Sequence, residues 1–252
     1  MGEIIAVANQ KGGVGKTTTA INVAAALAMA ERRVLLIDFD PQANTTTGMG
    51  IDKNKNKVDI YSILMQEHAI QDAIQSSELK FLKILPSSRS LARFELEAVS
   101  QDDSHMYLKN SLNKLSNDYD YFIVDLPPSL GLLTVNALTA ANSVMIPIQA
   151  EYYALEGLSD LLNTIDRIRE HFNPDLKIRG VLVTLFDERT NLSKQVEDEL
   201  RKYFKDKVYA SIIPRNVRLS EAPSFGKPIQ IYDIKSAGAK AYMSLAKEIL
   251  LQ

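Results

Sequence analysis

The sequence predicts an α/β fold in which a mostly parallel, twisted sheet carries helices on both faces. Three observations support this prediction. Short apolar runs alternate with stretches of helical periodicity along the chain, as in proteins built from βα units. A glycine-rich loop joins the first apolar run to an alanine-rich stretch, and two other apolar runs end in Asp. With 252 residues and 46% hydrophobic composition, the chain can form one domain with a large core.

Apolar runs bounded by turn residues indicate seven buried strands, and stretches with apolar residues three or four apart indicate nine helices. The predicted strands are Ile4–Asn9, Val34–Asp38, Phe81–Pro86, Tyr121–Asp125, Ser143–Ile148, Ile178–Thr184 and Val208–Ile213. The predicted helices are Lys16–Ala30, Ile60–Gln66, Ala69–Ser76, Leu91–Ala98, Met106–Asn117, Leu132–Ala141, Leu155–His171, Leu192–Phe204 and Ala237–Leu251. Because no linker or internal repeat divides the chain, we expect residues 1–252 to form a single domain.

The loop after the first strand has the composition of a phosphate-binding loop, or P-loop. Strand, glycine loop and helix in succession are the context in which Gly-Lys-Thr binds phosphate. Glycines allow backbone N–H groups to approach phosphate oxygens, Lys16 supplies a positive charge, and the Thr17 hydroxyl can ligate Mg²⁺. The sequence therefore predicts a P-loop NTPase. The residues predicted to bind the nucleotide are Lys11, Gly12, Gly13, Val14, Gly15, Lys16, Thr17 and Thr18.

This loop departs from the usual pattern at two positions. Gln10 occupies the place of the first glycine, and a second cation, Lys11, precedes Lys16 by five residues. Lys11 is either a solvated loop lysine or a residue that reaches a nucleotide held by a second subunit. The sequence KGGVGKTT resembles the deviant Walker A motif of the ParA/MinD ATPase family. The resemblance implies ATP and Mg²⁺ as cofactors, a homodimer with two nucleotides between its subunits, and catalytic roles for Lys11 and Lys16.

Carboxylates end two predicted strands, at the edge where open α/β sheets bind ligands. Asp125 follows four apolar residues, which is the Walker B pattern, and we expect it to hold Mg²⁺ through a water molecule. Asp38 and Asp40 alternate, so they project to the same side, either as caps of the next element or as working acids. Their segment resembles the family's switch I. This implies that Asp40 orients the attacking water and that Asp38 supports the metal. The segment after Asp125 resembles switch II.

The composition excludes several classes of protein. The formal charge of −2 gives no general attraction to nucleic acid, so any basic surface must be local. Without cysteine, the chain cannot hold an iron–sulfur cluster through thiolates, as the nitrogenase iron protein does. The first residues lack the charged region of a signal peptide, and no apolar run approaches the roughly 18–20 residues that span a bilayer. We therefore expect a cytoplasmic protein.

Positive charge is concentrated in the last third of the chain. Residues 201–218 include six Lys or Arg side chains and one acid. Such a run is either the solvated face of a helix or a phosphate-binding surface with salt-dependent affinity. FDERTNLSKQV and IPRNVRLSEAPSFGKP resemble segments of Soj-type ParA proteins, which implies DNA contacts by Arg189 and Arg218, to which we add Lys194 and Arg215. Because no DNA-reading helix-turn-helix or aromatic RNA motif is evident, we expect binding to the DNA backbone, and hence nucleoid association.

The resemblance covers nearly the whole chain and implies a DNA-partitioning ATPase. Its ATP-bound dimer would bind double-stranded DNA non-specifically and leave it after hydrolysis stimulated by a partner of the ParB/Spo0J type. A proline and an asparagine touch the adenine in relatives, which implies the same for Pro214 and Asn216. Because the P-loop begins at residue 11, we expect no amino-terminal operator-binding domain.

Two other functions stay open. A membrane-cycling ATPase like MinD needs a basic amphipathic tail beyond its last helix. Here the last residues fall inside the final predicted helix, so we expect no stable membrane association. A metabolic P-loop enzyme, such as an ATP-dependent ligase or a kinase, would need a pocket for a small substrate. No motif in the sequence points to one, so this alternative ranks last.

Overall fold

The computed structural model describes residues 2–55, 58–99, 101–115, 117–151 and 158–252. Within them, one sheet is formed by β1 (Glu3–Val7), β2 (Val34–Asp38), β3 (Gln75–Ser76), β4 (Leu82–Leu85), β5 (Tyr121–Asp125), β6 (Ser143–Gln149) and β7 (Lys177–Thr184). Their order across the sheet is β3-β4-β2-β5-β1-β6-β7. All neighbouring strands are parallel except β3 and β4, which are antiparallel. The predicted α/β class with a mostly parallel sheet is confirmed.

Helices cover both faces of this sheet. The described α-helices are α1 (Lys16–Met29), α2 (Asn44–Gly48), α3 (Ile60–Leu64), α4 (Ile70–Ala73), α5 (Leu91–Glu97), α6 (Tyr107–Asn113), α7 (Leu132–Ala140), α8 (Leu158–His171), α9 (Asn191–Phe204), α10 (Val217–Glu221), α11 (Ile229–Tyr232) and α12 (Ala237–Leu251). Two short 3₁₀ turns, Lys205–Lys207 and Ala222–Phe225, join some of them. None of the described helices is long and apolar enough to cross a bilayer.

The strands divide their side chains between two cores. Ile4 and Ala6 of β1 pack in the core that includes residues of α5 to α9, whereas Ile5 and Val7 pack in the core that includes α1 and α12. This alternation follows from the two-residue repeat of a strand. Each fully buried Ile or Leu stabilises the fold by roughly 1.5–3 kcal/mol, so both faces of the sheet contribute to stability.

The register of the central strands aligns the site residues. Asp38, the last residue of β2, lies opposite Asp125, the last residue of β5. On the other side of β5, Asp125 lies opposite Val7, where β1 ends. Because these strands are parallel, the glycine loop after β1 and both acidic segments begin at the same edge of the sheet. We call the side of the sheet where the parallel strands end the carboxyl edge, and the side where they begin the amino edge.

The predicted strand Val208–Ile213 is wrong. This segment runs beside β7, and the N–H groups of Tyr209 and Ile213 donate to β7 carbonyl oxygens, but the pairing consists of isolated bridges and not of a continuous ladder. The backbone N–H groups of Ala210 and Ser211 instead donate to the carboxylate of Glu248 on α12, at 2.8 and 2.7 Å. Because the Ser211 donor points toward α12, the hydrogen bonds that Tyr209 and Ile213 make to β7 are not joined into a ladder. The tertiary contact with Glu248 therefore overrides the β-propensity of the segment.

Several predicted boundaries also differ from the structure. The predicted helix Ala69–Ser76 is wrong in its second half, because α4 ends at Ala73 and β3 then pairs with the free edge of β4. The predicted helices that begin at Ile60 and Met106 end earlier than expected. Helices α2, α10 and α11 were not predicted, since four or five residues are too few to show helical periodicity. The predicted start of the helix 155–171 lies outside the described residues, which resume at Leu158.

Candidate nucleotide-binding and catalytic site

The glycine loop turns directly from β1 into α1. Gly13 and Gly15 have φ values of +77° and +85°, which residues with a side chain rarely adopt, and α1 begins at the next residue, Lys16. The buried Val14 between them presents its carbonyl oxygen to the hydroxyl of Thr184, at 2.8 Å. This hydrogen bond holds the glycine loop against the end of β7. The backbone N–H groups of the glycine loop lie at the start of α1, where anions bind favourably.

The two lysines of the loop have different surroundings. The Lys16 side chain is buried, and its Nζ donates to the carbonyl oxygen of Lys11 at 3.0 Å. Burial lowers the pKa of Lys16, while the nearby Asp125 and Asp40 oppose this shift. Lys11 is 35% exposed, and its Nζ lies 3.6 Å from a carboxylate oxygen of Glu151, which is 46% exposed. Such an exposed ion pair contributes about 0–1 kcal/mol and opens readily.

Asp125 joins the glycine loop to the segment that follows Asp40. Its Oδ2 accepts hydrogen bonds from the hydroxyls of Thr17, at 2.8 Å, and Thr45, at 2.7 Å. Its Oδ1 is buried and has no hydrogen-bond partner among the described residues. Burial raises the pKa of Asp125 to about 6, although the two hydroxyls stabilise its ionised form. A buried carboxylate oxygen without a partner is costly unless a ligand satisfies it.

Asp38 and Asp40 have different environments. Asp38 is fully buried, and its Oδ2 accepts hydrogen bonds from the backbone N–H and the hydroxyl of Thr46, at 2.7 and 2.6 Å. Its Oδ1 accepts from the backbone N–H of Asp40 at 3.2 Å. Burial, followed by the negative charge of Asp125, raises the pKa of Asp38 to about 7. The Asp40 carboxylate accepts only one backbone hydrogen bond within the described chain, from Gln42 at 2.8 Å. Asp38 thus organises the segment, whereas Asp40 keeps acceptor capacity.

The donor atoms at this edge suit Mg²⁺. Carboxylate and hydroxyl oxygens from Asp125 and Thr17 are the hard ligands that this ion takes. Within the described part of the chain, no group of three or more His, Cys, Asp or Glu side chains could hold a metal ion. A magnesium ion here would therefore draw most of its ligands from phosphates and water, as it commonly does in phosphoryl-transfer enzymes. The buried, unpartnered Oδ1 of Asp125 marks the position that such a hydrated ion would satisfy.

Pro214 and Asn216 lie in a loop attached to the same edge. The backbone N–H of Arg215, between them, donates to the carbonyl oxygen of Phe186 at 2.9 Å. Phe186 is two residues beyond Thr184, the residue that fastens the glycine loop. The amide oxygen of Asn216 is buried without a hydrogen-bond partner in the described chain. An amide can both donate and accept, so it could pair with the edge of a purine base.

Three of the four predicted DNA contacts lie close together beyond β7. Arg189 donates to both carboxylate oxygens of Asp187, at 2.9 and 2.7 Å. This arginine, with a smaller contribution from Arg215, lowers the pKa of Asp187 to about 2. Lys194 is exposed in the first turn of α9, where the same loop enters the helix. Arg189 and Arg215 therefore lie on two adjoining loops at the carboxyl edge, and Lys194 lies at the start of α9 beside them.

Arg218, the fourth predicted contact, is on α10. Its guanidinium is 55% exposed, donates to Glu221 at 2.9 Å and lies 3.7 Å from an oxygen of Asp233. The two ion pairs offset part of the positive charge of Arg218, and its side chain stays at the surface. A phosphate could replace these carboxylates, because both acids are also partly exposed.

The basic run at 201–218 does not form one surface. Lys207 lines a cavity of about 750 Å³ at the amino edge, together with Glu3 and Lys177. Arg201 is ion-paired with Glu197 on α9, at 2.8 Å. Only the later residues of the run lie at the carboxyl edge, so the interpretation of the run as a single charged face is wrong. The chain between Lys207 and Arg215 runs along β7, from a bridge between Val208 and Val181 to one between Pro214 and Phe186, and so it separates these two charges.

Several residues that hold the site together were missed in the sequence. They are Thr45, Thr46, Ser87 and Thr184, and each makes a hydrogen bond to the glycine loop or an acidic segment. A signal for the first two was present, because three consecutive threonines begin five residues after Asp40. No local pattern distinguishes Ser87 or Thr184, whose partners are distant in sequence.

Comparisons with known proteins identify the family to which this chain belongs. A family model described as an AAA domain matches residues 2–178. The chromosome partitioning protein ParA of Myxococcus xanthus is 54% identical over 250 residues, which cover 99% of this chain and 88% of the relative. The sporulation initiation inhibitor protein Soj of Bacillus subtilis is 54% identical over 249 residues, which cover 99% of this chain and 98% of the relative.

Solved structures share the fold over their full length. A Mycobacterium smegmatis protein described as cobyrinic acid a,c-diamide synthase, with a bound ATP analogue and magnesium, is 38% identical with a TM-score of 0.88; the match covers 99% of this chain and 95% of that one. The cell division ATPase MinD of Pyrococcus furiosus is 25% identical with a TM-score of 0.82, and the match covers 100% and 99% of the two chains. The family resemblance seen in the sequence is confirmed. The chain belongs to the ParA/Soj family of chromosome partitioning ATPases.

Proposed function

We propose that this protein is a DNA-partitioning ATPase whose nucleotide state controls dimerisation and DNA binding. ATP with Mg²⁺ closes two subunits around two nucleotides, and the closed dimer binds double-stranded DNA without reading its sequence. The observation that carries the proposal is the contrast between the loop lysines: Lys16 is buried at the helix start, whereas Lys11 is half-exposed and, among the described residues, is paired with Glu151 at the surface. A second cation of this kind can serve a neighbouring subunit.

Each residue of the site has a separate part in binding and hydrolysis. The loop amides and Lys16 bind the phosphates, and Thr17 with Asp125 holds Mg²⁺. When bound, this ion neutralises the charge that develops on the phosphates. Asp40 orients the attacking water, because its carboxylate keeps free acceptor capacity, while Asp38 holds the backbone of the segment. Pro214 and Asn216 contact the base.

Dimerisation would require Lys11 to leave Glu151. The exposed ion pair costs about 0–1 kcal/mol to open, whereas a triphosphate offers several negative charges in a site that excludes water. Binding of ATP in the partner subunit therefore draws Lys11 across the interface. ADP lacks the terminal phosphate and gives less attraction, so hydrolysis weakens the dimer.

The DNA surface consists of the two loops with Arg189 and Arg215, together with Lys194 at the start of α9 and Arg218 on α10. The first loop follows β7, whose Thr184 is hydrogen-bonded to the glycine loop, and the second is hydrogen-bonded to the first through Arg215 and Phe186. One subunit offers few phosphate contacts. A dimer doubles them, and because each contact releases counterions, affinity rises steeply on dimerisation and falls steeply with salt. A protein that binds DNA only with ATP would be associated with the nucleoid and would need no stable membrane association.

A partner of the ParB/Spo0J type completes the cycle by stimulating an otherwise weak hydrolysis, which releases the dimer. The names of the 54% identical relatives support partitioning. The name of the 38% identical structure would instead suggest an amide-forming enzyme. The two functions differ in their products, because a synthase couples ATP hydrolysis to a new amide and a partitioning ATPase releases only ADP and phosphate.

The proposal is tested by measuring affinity for random-sequence duplex DNA with ATP and with ADP at one salt concentration. We expect at least tenfold tighter binding with ATP, and a steeper salt dependence for ATP. Arg218→Ala should weaken binding several-fold. Arg33→Ala is the matched control, because Arg33 is also half-exposed and ion-paired but lies at the amino edge. Equal affinity with ATP and ADP would overturn the proposed switch.

A second measurement tests the dimer directly. Asp40→Ala removes the orientation of water but no phosphate contact, so this variant should bind ATP without hydrolysing it. In size-exclusion chromatography with ATP, it should elute as a dimer, and duplex DNA should co-elute with it. If it elutes as a monomer although it holds ATP, the proposed dimer is wrong.

A further inference from the structure

One stretch of chain, residues 87–95, contacts the segment around Asp40 with its first residue and the start of α7, the helix that follows Asp125, with its last residue. It begins where β4 ends and continues into α5. Its first residue, Ser87, is fully buried and donates from its hydroxyl to the carbonyl oxygen of Asp40 at 3.0 Å. The backbone N–H of Ser87 donates to the hydroxyl of Thr46 at 2.9 Å, and Thr46 in turn binds Asp38. One end of the stretch is therefore attached to the first acidic segment.

The other end of the stretch reaches the segment after Asp125. Glu95 is half-buried on α5, and its Oε1 accepts a hydrogen bond from the backbone N–H of Leu133 at 3.4 Å. The same oxygen lies directly against Gly131, where a Cβ atom would overlap it. Gly131 has a φ of −81°, which any residue can adopt. A side chain at Gly131 would therefore leave the backbone unstrained but would displace the Glu95 carboxylate from its position beside the start of α7.

Glu95 supplies a cap that α7 lacks in its own sequence. The cap position of this nine-residue helix is Gly131, which has no side chain to accept a hydrogen bond from the first turn. A carboxylate at the start of a helix is favoured by the exposed N–H groups and by the helix dipole. The position of Glu95 is itself determined by packing, because Leu91 and Phe94 on the same helix are fully buried in the core.

We propose that Glu95 is a positioning residue for ATP hydrolysis, and this inference rests on the hydrolysis proposed above. Glu95 holds the far end of residues 126–131, whose near end is Asp125. Ser87 holds the backbone of Asp40 from the same stretch of chain. Asp125, which would hold the metal, and Asp40, which orients water, are thereby kept at a constant distance from each other by one stretch of chain that is anchored in the core.

A double-mutant cycle tests the contact. Gly131→Ala should lower the thermal unfolding midpoint, because its methyl group displaces the carboxylate that accepts from the N–H of Leu133. In the Glu95→Ala background the carboxylate is gone, so the same substitution should lower the midpoint by less than half as much. Equal shifts in the two backgrounds would show that Glu95 does not occupy this space, and would overturn the proposal.

Hydrolysis kinetics test the positioning role. Glu95→Gln and Glu95→Ala should lower kcat by about five- to tenfold and leave KM for ATP within about twofold, because the nucleotide contacts remain. Glu97→Gln is the matched control: Glu97 is on the same helix and accepts its hydrogen bond from Tyr61, at 2.7 Å. An unchanged kcat in both Glu95 variants would overturn the proposal, and so would an equal loss in Glu97→Gln.

The outcomes for the two proposals can be distinguished. If the unsubstituted chain hydrolyses no ATP in the presence of Mg²⁺, the proposed function fails before any variant is compared. If it hydrolyses ATP and the Glu95 variants match it, only the positioning role fails. Neither measurement requires DNA or a partner protein.

Discussion

Thr17 Oγ1 lies 2.8 Å from Asp125 Oδ2, so the hydroxyl at the start of α1 donates to the carboxylate that ends β5. The two residues are 108 positions apart in the sequence. Their contact brings both candidate magnesium ligands together at the carboxyl edge of the sheet. Because the second carboxylate oxygen of Asp125 is buried and unpartnered within the described chain, the pair can take up a hydrated cation with little rearrangement.

Asp125→Asn should abolish the effect of Mg²⁺ on nucleotide affinity. Asparagine can still accept the hydroxyl hydrogen bonds of Thr17 and Thr45, but it has no negative charge to attract the ion. Titration calorimetry with a non-hydrolysable ATP analogue, with and without Mg²⁺, measures the effect. Asp120→Asn, just before the same strand, is the control and should keep the wild-type dependence. A variant at Asp125 that still gains affinity from Mg²⁺ by the wild-type factor would contradict the assignment.

The stability of the nucleotide-free protein should fall as the pH rises from 5 to 8 in the absence of Mg²⁺. The pKa of Asp38 is about 7 in the fold, against an ordinary value of 3.8, so the folded chain keeps a proton that the unfolded chain has lost. A raised pKa of this kind contributes stability that is complete below about pH 4 and is lost as the pH rises through 7. The pKa of Asp125 is also raised, to about 6, so this residue likewise lowers the stability of the fold as the pH rises.

Thermal unfolding at constant ionic strength checks this pH dependence. Asp38→Asn removes the titrating group and should flatten the decrease of the midpoint between pH 5 and 8. Asp166→Asn, on the exposed side of α8, is the control and should keep the wild-type slope. If the Asp38 variant loses as much stability over this range as the wild type, Asp38 is not the source of the effect.

Substitution of Lys16 and substitution of Lys11 should have different effects on nucleotide binding and on dimerisation. Lys16→Ala removes the buried charge at the helix start, and we expect nucleotide affinity to fall by at least a hundredfold. Lys11→Ala should leave nucleotide affinity within a few-fold, because Lys11 lies at the surface beside Glu151. The Lys11→Ala variant should nevertheless remain monomeric with ATP in light-scattering measurements, and it should lose ATP hydrolysis. Equal losses of nucleotide affinity in both variants would place Lys11 in its own subunit's pocket.

Gly12→Val should block dimerisation more than nucleotide binding. A Cβ atom at Gly12 would meet nothing within 4 Å in the described chain, and its backbone is not in the left-handed region. The substitution is therefore compatible with the fold of one subunit, and its cost arises only where another subunit approaches. Gly13→Val is the contrasting variant, because its φ of +77° makes any side chain unfavourable. Sedimentation with ATP distinguishes the two, and a fully dimeric Gly12 variant would contradict the proposed interface.

The prediction of the fold from the sequence succeeded where the signal is local and periodic. Strands such as Val34–Asp38 and Tyr121–Asp125 have the same bounds in the structure as in the prediction, because a buried parallel strand is a continuous apolar run. The prediction failed at Val208–Ile213, where Glu248 on a distant helix takes two backbone donors. It also failed at Gln75–Ser76, where pairing with an existing sheet edge decided the conformation.

The amino-acid sequence by itself determined the glycine loop, the acidic strand ends and the order of the βα units, because each depends on residues within a few positions of one another. Only the tertiary structure decided that Thr17 and Thr45 share one carboxylate, that the basic run is split between opposite edges, and that Glu95 occupies the space beside Gly131. These relations join residues tens of positions apart in the chain. Their partners are chosen by strand order and helix packing, which involve the whole sheet at once.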